Sequence, residues 1–113
     1  MNPNVVFSGC EDGSVREFDF RSGKVVRSFS AHEGAACTSL ALTPGGTRGL
    51  VTCGHDCNVR MWSLPGAAMV GETTAGVPKA GEGALSLAMD PAGPRIAVGC
   101  ADGIASVFRL RNL

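Results

Sequence analysis

The stretch SGCEDGSVREFD, from Ser8 to Asp19, is repeated in altered form as TCGHDCNVRMWS, from Thr52 to Ser63, and as VGCADGIASVFR, from Val98 to Arg109. Aligned without gaps, the three copies share an aspartate, at spacings of 44 and then 46 residues, in Asp12, Asp56 and Asp102. Six residues after each aspartate comes an aromatic side chain, in Phe18, Trp62 and Phe108. A period of this length is typical of repeat architectures, in which each repeat is one supersecondary unit.

Short apolar runs separated by turn signals surround each copy. The chain has 16 glycines and 6 prolines, which punctuate these runs, and no segment of ten or more residues shows a sustained helical period with caps. The pattern predicts an all-β fold, in which ten short strands are joined by tight turns into an antiparallel meander. The predicted strands are Val5–Cys10, Val15–Phe18, Lys24–Ser30, Cys37–Thr43, Arg48–Cys53, Val59–Leu64, Ala67–Thr73, Ala84–Met89, Arg95–Cys100 and Ile104–Leu110.

The predicted strands group into three units. Residues 31–75 hold four strands and form a complete unit, residues 1–30 hold only three, and residues 76–113 hold a loop followed by three. The predicted organisation is therefore one full sheet between two partial ones.

Charge and hydropathy argue against several classes of function. Ten basic residues balance ten acidic ones without any run of like charge, so no field attracts nucleic acid or an anionic membrane. No apolar stretch approaches the roughly 20 residues that span a bilayer, and the first residues lack the pattern of a signal peptide. Five cysteines, an odd number, favour a reduced intracellular compartment, and we expect a cytoplasmic protein.

The middle unit carries a characteristic set of residues. His32, Thr52, Asp56 and Trp62 follow the order of His, Ser or Thr, turn Asp and Trp that is typical of the WD-repeat family. The chain resembles that family, which implies a β-propeller of antiparallel four-stranded blades, present here as one full blade and two partial ones. The resemblance also implies that these four residues form a buried hydrogen-bonded relay, since a buried carboxylate must accept hydrogen bonds.

Several positions depart from the family pattern. Ala31 stands where the family has Gly, and Ser63 stands where it has Asp. The first unit ends its second strand in Phe18-Asp19, and the third has Val98 where Ser or Thr is expected, with no histidine before its first strand. We therefore expect a complete relay only in the middle unit and the loosest packing in the third.

A narrower resemblance covers nearly the whole chain. The segments EDGSVREFDFRSGKVVRSFSAHEG, GHDCNVRMWSL and ADGIASVFRL look like the final blades of the striatin family. That likeness implies a non-catalytic scaffold whose partners are other proteins, namely protein phosphatase 2A and kinase subunits, and the remaining blades of a larger propeller. Because an open fragment of such a ring leaves strand edges and blade faces unpaired, we expect it to aggregate when isolated.

The segment from Val6 to Arg21 supports an alternative function. Asp19 and Arg21 match a Trp-Asp-x-Arg box through which some WD-repeat proteins dock onto cullin–RING ubiquitin ligase adaptors, although Phe18 replaces the Trp. The alternative is thus a ligase substrate receptor, and the same residues also fit an ordinary strand followed by a solvated arginine. A propeller attached to an enzyme encoded upstream is a further alternative.

Three other groupings lack the partners that their chemistry needs. Cys53, His55 and Cys57 lie close together, but structural zinc takes four ligands and no second pair is present. A nucleophile formed by Cys57 and His55 has no identifiable orienting group or oxyanion site. The Gly-rich residues 71–83 lack the Gly-x4-Gly-Lys-Ser/Thr pattern of a phosphate-binding loop. We therefore predict no catalytic residue, no metal and no cofactor.

Binding is expected at loops displayed by a rigid scaffold. In the middle unit these loops are Glu33–Ala36 and His55–Asn58, and the long loop that follows adds two charged residues. The candidate partner contacts are Glu33, His55, Lys79, Glu82 and, for the ligase alternative, Arg21.

Overall fold

A computed structural model gives the fold and describes residues 4–43, 49–64, 66–75, 83–90 and 95–109. The described residues form ten β-strands and no helix, which confirms the all-β class. Each predicted strand is present, and its described limits agree with the prediction to within one residue, while the predicted ends Arg48 and Leu110 lie outside the described residues. The strands are β1 (Val5–Gly9), β2 (Ser14–Asp19), β3 (Lys24–Ser30), β4 (Cys37–Leu42), β5 (Gly49–Gly54), β6 (Asn58–Ser63), β7 (Ala68–Thr74), β8 (Ala84–Met89), β9 (Arg95–Cys100) and β10 (Ala105–Arg109).

The strands form three antiparallel sheets in chain order. The first sheet is β1-β2-β3, the middle sheet is β4-β5-β6-β7, and the third sheet is β8-β9-β10. Within each sheet every strand pairs with its neighbours along the chain, as tight hairpin turns require. In the middle sheet β5 is buried at all six positions, so this strand lies at the centre of the fold.

Each sheet has two faces, because successive side chains of a strand point to opposite sides. We call the face turned toward the preceding sheet the leading face and the other the trailing face. In the middle sheet Leu50 and Trp62 lie opposite each other on the leading face, and Val51 and Met61 lie opposite each other on the trailing face.

Two apolar seams hold the sheets together. The first seam joins the trailing face of the first sheet, with Val15, to the leading face of the middle sheet, with Leu50 and Trp62. The second seam joins the trailing face of the middle sheet, with Val51, to the leading face of the third sheet, with Ile96. Each seam removes apolar surface from water, which is the main force that stacks the sheets.

Polar contacts cross both seams as well. The Cys37 N–H donates to the Cys10 carbonyl at 2.9 Å across the first seam. The Thr38 hydroxyl donates to the Ala84 carbonyl at 2.6 Å across the second. These bonds fix how the innermost strands β1, β4 and β8 sit beside one another.

The predicted start of the seventh strand is wrong, and the backbone shows why. Ala67 was expected to begin a strand, but its φ of +53° places it in the left-handed region, within the turn before β7. An extended strand residue has negative φ, so β7 begins one residue later, at Ala68.

Candidate functional site

The three repeated aspartates share one local role. Each carboxylate accepts a hydrogen bond from the backbone N–H two residues later, which closes the turn between two strands. The N···O distances are 2.9–3.0 Å, and the pairs are Asp12 with Ser14, Asp56 with Asn58 and Asp102 with Ile104. The aspartate that the repeat singled out is therefore a turn residue in all three sheets.

The residue after each aspartate has positive φ. Gly13 and Gly103 adopt +89° and +87°, which glycine tolerates, whereas Cys57 adopts +66° at the equivalent place in the middle sheet. A residue with a side chain pays about 1–2 kcal/mol in this region. Cys57 is buried, so its packing must offset that strain.

In the middle sheet the aspartate also joins a chain of side chains. His32 Nδ1 lies 3.1 Å and 3.2 Å from the two carboxylate oxygens of Asp56, and its Nε2 lies 2.8 Å from Thr52 Oγ1. Trp62 Nε1 lies 3.0 Å from the same Thr52 oxygen. The structure thus brings together all four residues of the expected relay.

The chemistry of these groups fixes the direction of each hydrogen bond. The indole N–H of Trp62 is only a donor, so Thr52 Oγ1 accepts it. The Asp56 carboxylate is only an acceptor, so His32 donates from Nδ1. In a neutral imidazole Nε2 is then the acceptor, and it receives the Thr52 hydroxyl proton. Every polar atom of the relay between Trp62 and Asp56 is satisfied with His32 uncharged.

Burial supports this neutral form. His32 is 0% exposed, and desolvation lowers the pKa of its imidazole below the ordinary value, although the nearby Asp56 charge opposes that shift. An imidazole with both nitrogens bonded inside the protein cannot reach a ligand. The relay is therefore a structural device that ties β5, β6 and two loops together.

Small residues make room for the imidazole. A Cβ on Gly54 would lie 2.8 Å from His32 Cγ and Nδ1, so a side chain at position 54 would displace the ring. The loop around His32 is also held by the first sheet, since the His32 N–H donates to the Gly13 carbonyl at 2.9 Å. A Cβ on Gly13 would collide with the His32 carbonyl oxygen.

Sequence reasoning missed Arg60, which extends the relay. Its Nη1 donates to the Ala31 carbonyl at 2.6 Å, next to His32, and its Nη2 donates to Glu72 Oε1 at 3.1 Å. Arg60 therefore fastens the loop before β4 to the outermost strand β7. The signal available in the sequence was that Arg16 and Arg60 occupy the same position of the repeat.

The predicted contact residues that the structure describes lie at two opposite ends of the strands. Glu33 and His55 are exposed on the two loops that the relay holds, so the structure brings them to one end of the middle sheet. Arg21 is exposed in the β2–β3 turn, at the opposite end of the strands, and its backbone N–H donates to Asp19 Oδ1 at 3.0 Å. Lys79 and Glu82 lie outside the described residues.

The groupings that sequence analysis set aside show no assembled site in the described part of the chain. There, no three His, Cys, Asp or Glu side chains are arranged to hold a metal ion. Cys57 is buried in its turn, whereas His55 is exposed. Within the same ranges, no helix is long and apolar enough to cross a membrane.

Comparison with known families identifies the architecture. Residues 23–63 match the family model described as WD domain, G-beta repeat, a range that includes His32, Thr52, Asp56 and Trp62. The chain carries a WD repeat. All four relay residues lie within this matched repeat.

The chain is also related to the striatins. Striatin-3 of Rattus norvegicus is 38% identical over 104 residues, which are 92% of this chain and 13% of the relative. Striatin-4 of Homo sapiens is 37% identical over 107 residues, which are 95% of this chain and 14% of the relative. The chain therefore spans only a small part of the length of these curated relatives.

Solved structures show the same arrangement of sheets. The structure of Chaetomium thermophilum Sqt1 bound to the N-terminus of the ribosomal protein L10 aligns with a TM-score of 0.80 and 27% identity, over 96% of this chain and 30% of that chain. Sqt1 of the same organism gives a TM-score of 0.79 and 26% identity in a second structure. The predicted partial propeller, with one full WD-repeat blade and two partial ones, is confirmed.

The neighbouring sheets lack the relay at the equivalent positions. Val98, buried on the leading face of the third sheet, takes the place of Thr52 and offers no hydroxyl. Ser8 and Phe18 take the places of Thr52 and Trp62 in the first sheet, and the Asp12 carboxylate is exposed and bonded to the Ser14 hydroxyl at 2.6 Å. In the described residues only the middle sheet has the four side chains bonded together.

Proposed function

We propose that this chain is a non-catalytic scaffold segment, whose WD-repeat sheets present loops for binding other proteins. The observation that carries the proposal is the buried relay, because it fixes the loop of Glu33 and the turn of His55 to the same rigid sheet. Rigid display lowers the entropy that a loop loses on binding, which favours recognition of a partner protein.

The striatin likeness supports a more specific role. We infer a cytoplasmic regulatory scaffold that joins protein phosphatase 2A to kinase subunits, as part of a larger propeller whose further sheets cover the two outer faces. Identity of 36–40% over most of the chain supports this role. Binding of a protein segment by such a fold has a parallel in Sqt1, which is bound to the N-terminus of the ribosomal protein L10.

Affinity purification of the tagged chain from cells tests the proposal. Reversing the charges together, with Glu33→Lys, His55→Glu and Lys79→Glu, should abolish recovery of phosphatase and kinase subunits. The matched control is Lys24→Glu, since Lys24 is exposed at the opposite end of the strands. Unchanged recovery with the triple variant would show that this set of loops is not the contact.

The same purification separates the ligase alternative. Recovery of a cullin–RING adaptor that is lost on Arg21→Ala would assign the chain to substrate recognition instead. The exposed position of Arg21 in the β2–β3 turn is the observation that favours this second candidate.

A further inference from the structure

A serine in the first sheet occupies the position of an ion-paired glutamate in the middle sheet. In the middle sheet Glu72 of β7 lies directly opposite Arg60 of β6, and its Oε1 accepts from the arginine Nε and Nη2 at 3.3 Å and 3.1 Å. In the first sheet Ser28 of β3 lies directly opposite Arg16 of β2. Each arginine comes four residues after the turn aspartate of its sheet, so the two pairs are equivalent. The first sheet therefore has the arginine of this pair and lacks its anion.

Arg16 has a weak partner in the first sheet. Its Nη2 lies 3.8 Å from Asp12 Oδ2, and the two side chains are 46% and 62% exposed. An exposed ion pair at that distance contributes little. The Asp12 carboxylate also accepts from the N–H and the hydroxyl of Ser14, at 3.0 Å and 2.6 Å, so its place in the turn does not depend on Arg16. The guanidinium can therefore move to a stronger anion.

Ser28 shares its face of the sheet with Arg16 and not with the arginine that precedes it. Side chains alternate along a strand, so Arg27 points to the trailing face, where its Nε and Nη2 donate to Glu17 Oε1 at 3.2 Å and 3.1 Å. Directly opposed residues of an antiparallel pair have Cβ atoms about 4.5–5.5 Å apart. A phosphate on the Ser28 hydroxyl would thus lie within reach of the Arg16 guanidinium.

Ser28 is accessible to a modifying enzyme, and a sheet stacked on its face would not change that. Ser28 is exposed on β3, an edge strand of its sheet. Glu72 has the same place on a leading face that is covered, since the first sheet packs there, and its side chain is still 39% exposed. The exposure of Ser28 therefore follows from its place on the outer strand, whether or not another sheet covers the leading face.

We propose that Ser28 is phosphorylated and that its phosphate forms with Arg16 the ion pair that the middle sheet already has. An ATP-dependent protein kinase transfers the γ-phosphoryl group: Ser28 Oγ forms the new P–O bond, the bond to the ADP oxygen breaks, and the hydroxyl proton passes to the kinase. Lys24 and Arg27 precede Ser28, which suits a kinase with an acidic substrate groove. The phosphate brings about −1.5 to −2 charges and three acceptor oxygens, which replace the missing carboxylate.

The modification acts next to a loop to which we assign binding. The loop after β3 carries Glu33, and the relay holds it through His32. A charge-assisted bond between β2 and β3 would hold the strand that enters this loop more firmly. Phosphorylation thus goes beyond the proposed function, as a means to regulate it, and the ion pair itself does not require that the loop bind a partner.

Mapping of phosphopeptides tests the site. The tagged chain is recovered from cells treated with a phosphatase inhibitor and is analysed by mass spectrometry. Phosphate should be found on Ser28 in the wild-type chain and in Ser30→Ala, the matched control, since Ser30 is exposed two residues further along β3. A wild-type chain without phosphate on Ser28 would overturn the proposal.

Titration of the phosphate tests the ion pair. Phosphoserine is installed at position 28 during synthesis of the chain, and phosphorus NMR follows the second pKa of the phosphate. That pKa should be lower with Arg16 present than in Arg16→Gln by about 0.2–0.7 pH units, because a neighbouring guanidinium favours the dianion. Phosphoserine at position 30, which is not directly opposite Arg16, should respond less to the same substitution.

Equal phosphate pKa values at position 28 in the two chains would overturn the pairing. Trp62 fluorescence shows that each chain is folded before it is titrated. Neither experiment involves a partner protein, so failure here leaves the scaffold proposal to be judged by the loop variants.

Discussion

Replacing Thr52 with valine removes the oxygen at the centre of the relay while keeping the branched shape of the side chain. Thr52 is 0% exposed, so no water replaces the lost hydroxyl. The Trp62 N–H, bonded at 3.0 Å, and His32 Nε2, bonded at 2.8 Å, both lose their partner. Leaving one buried polar group unsatisfied costs about 1–3 kcal/mol, so opening of the Trp62 environment becomes easier by roughly that amount.

Hydrogen exchange of the indole N–H measures this cost directly. The chain has one tryptophan, so NMR shows one indole resonance without ambiguity. A loss of about 1–3 kcal/mol corresponds to exchange that is roughly 5- to 150-fold faster in Thr52→Val. Thr52→Ser, which keeps the hydroxyl, is the control and should exchange much more slowly than the valine variant. Equal exchange rates in the two variants would refute the bonding scheme.

Three further predictions concern the turn, the imidazole and the thiols. In urea unfolding, Gly13→Ala should lower the free energy of unfolding by about 1–3 kcal/mol more than Gly103→Ala does. Both glycines have positive φ, but only a Cβ at Gly13 would collide with backbone. Equal losses of unfolding free energy in the two variants would argue against the packed loop. Since burial lowers the pKa of His32, the unfolded chain binds its proton more readily than the folded chain. The folded chain should therefore have its full stability above about pH 6.5 and lose stability as the pH drops below that value. The loss should be smaller in His32→Gln. Stability that rises on acidification would contradict the neutral imidazole. Burial raises the pKa of the Cys37 thiol to about 12. Mass spectrometry after alkylation of the native chain at about pH 8 should therefore find Cys37 unmodified, while the half-buried Cys10 reacts. Rapid labelling of Cys37 would show that the first seam is open.

The repeat made the strand order predictable. Spacings of 44 and 46 residues align each turn aspartate with its neighbours, and the same alignment gives the register of the strands on either side. Thr52 and Trp62 then fall on one face by the twofold alternation of a strand. The hydrogen-bonded relay of His32, Thr52, Asp56 and Trp62 came from the family resemblance, because spacing alone does not show which side chains bond to one another.

Contacts between sheets were not predictable in this way. Arg60 reaches the Ala31 carbonyl, and Thr38 reaches the Ala84 carbonyl, across distances in the sequence that no local pattern reports. The ring of Phe29 packs on Trp62 with centroids 4.9 Å apart, although Phe29 belongs to the preceding sheet. These contacts depend on how the sheets stack, which a single repeat does not encode.

We propose that the middle sheet, locked by the relay, is the rigid support for the loops that carry Glu33 and His55. Native hydrogen exchange resolved to peptides measures this rigidity strand by strand. Amides of β5 and β6 should exchange most slowly, and those of β8 to β10, where Val98 replaces the relay hydroxyl, should exchange fastest. Protection of the third sheet equal to or greater than that of the middle sheet would contradict the claim.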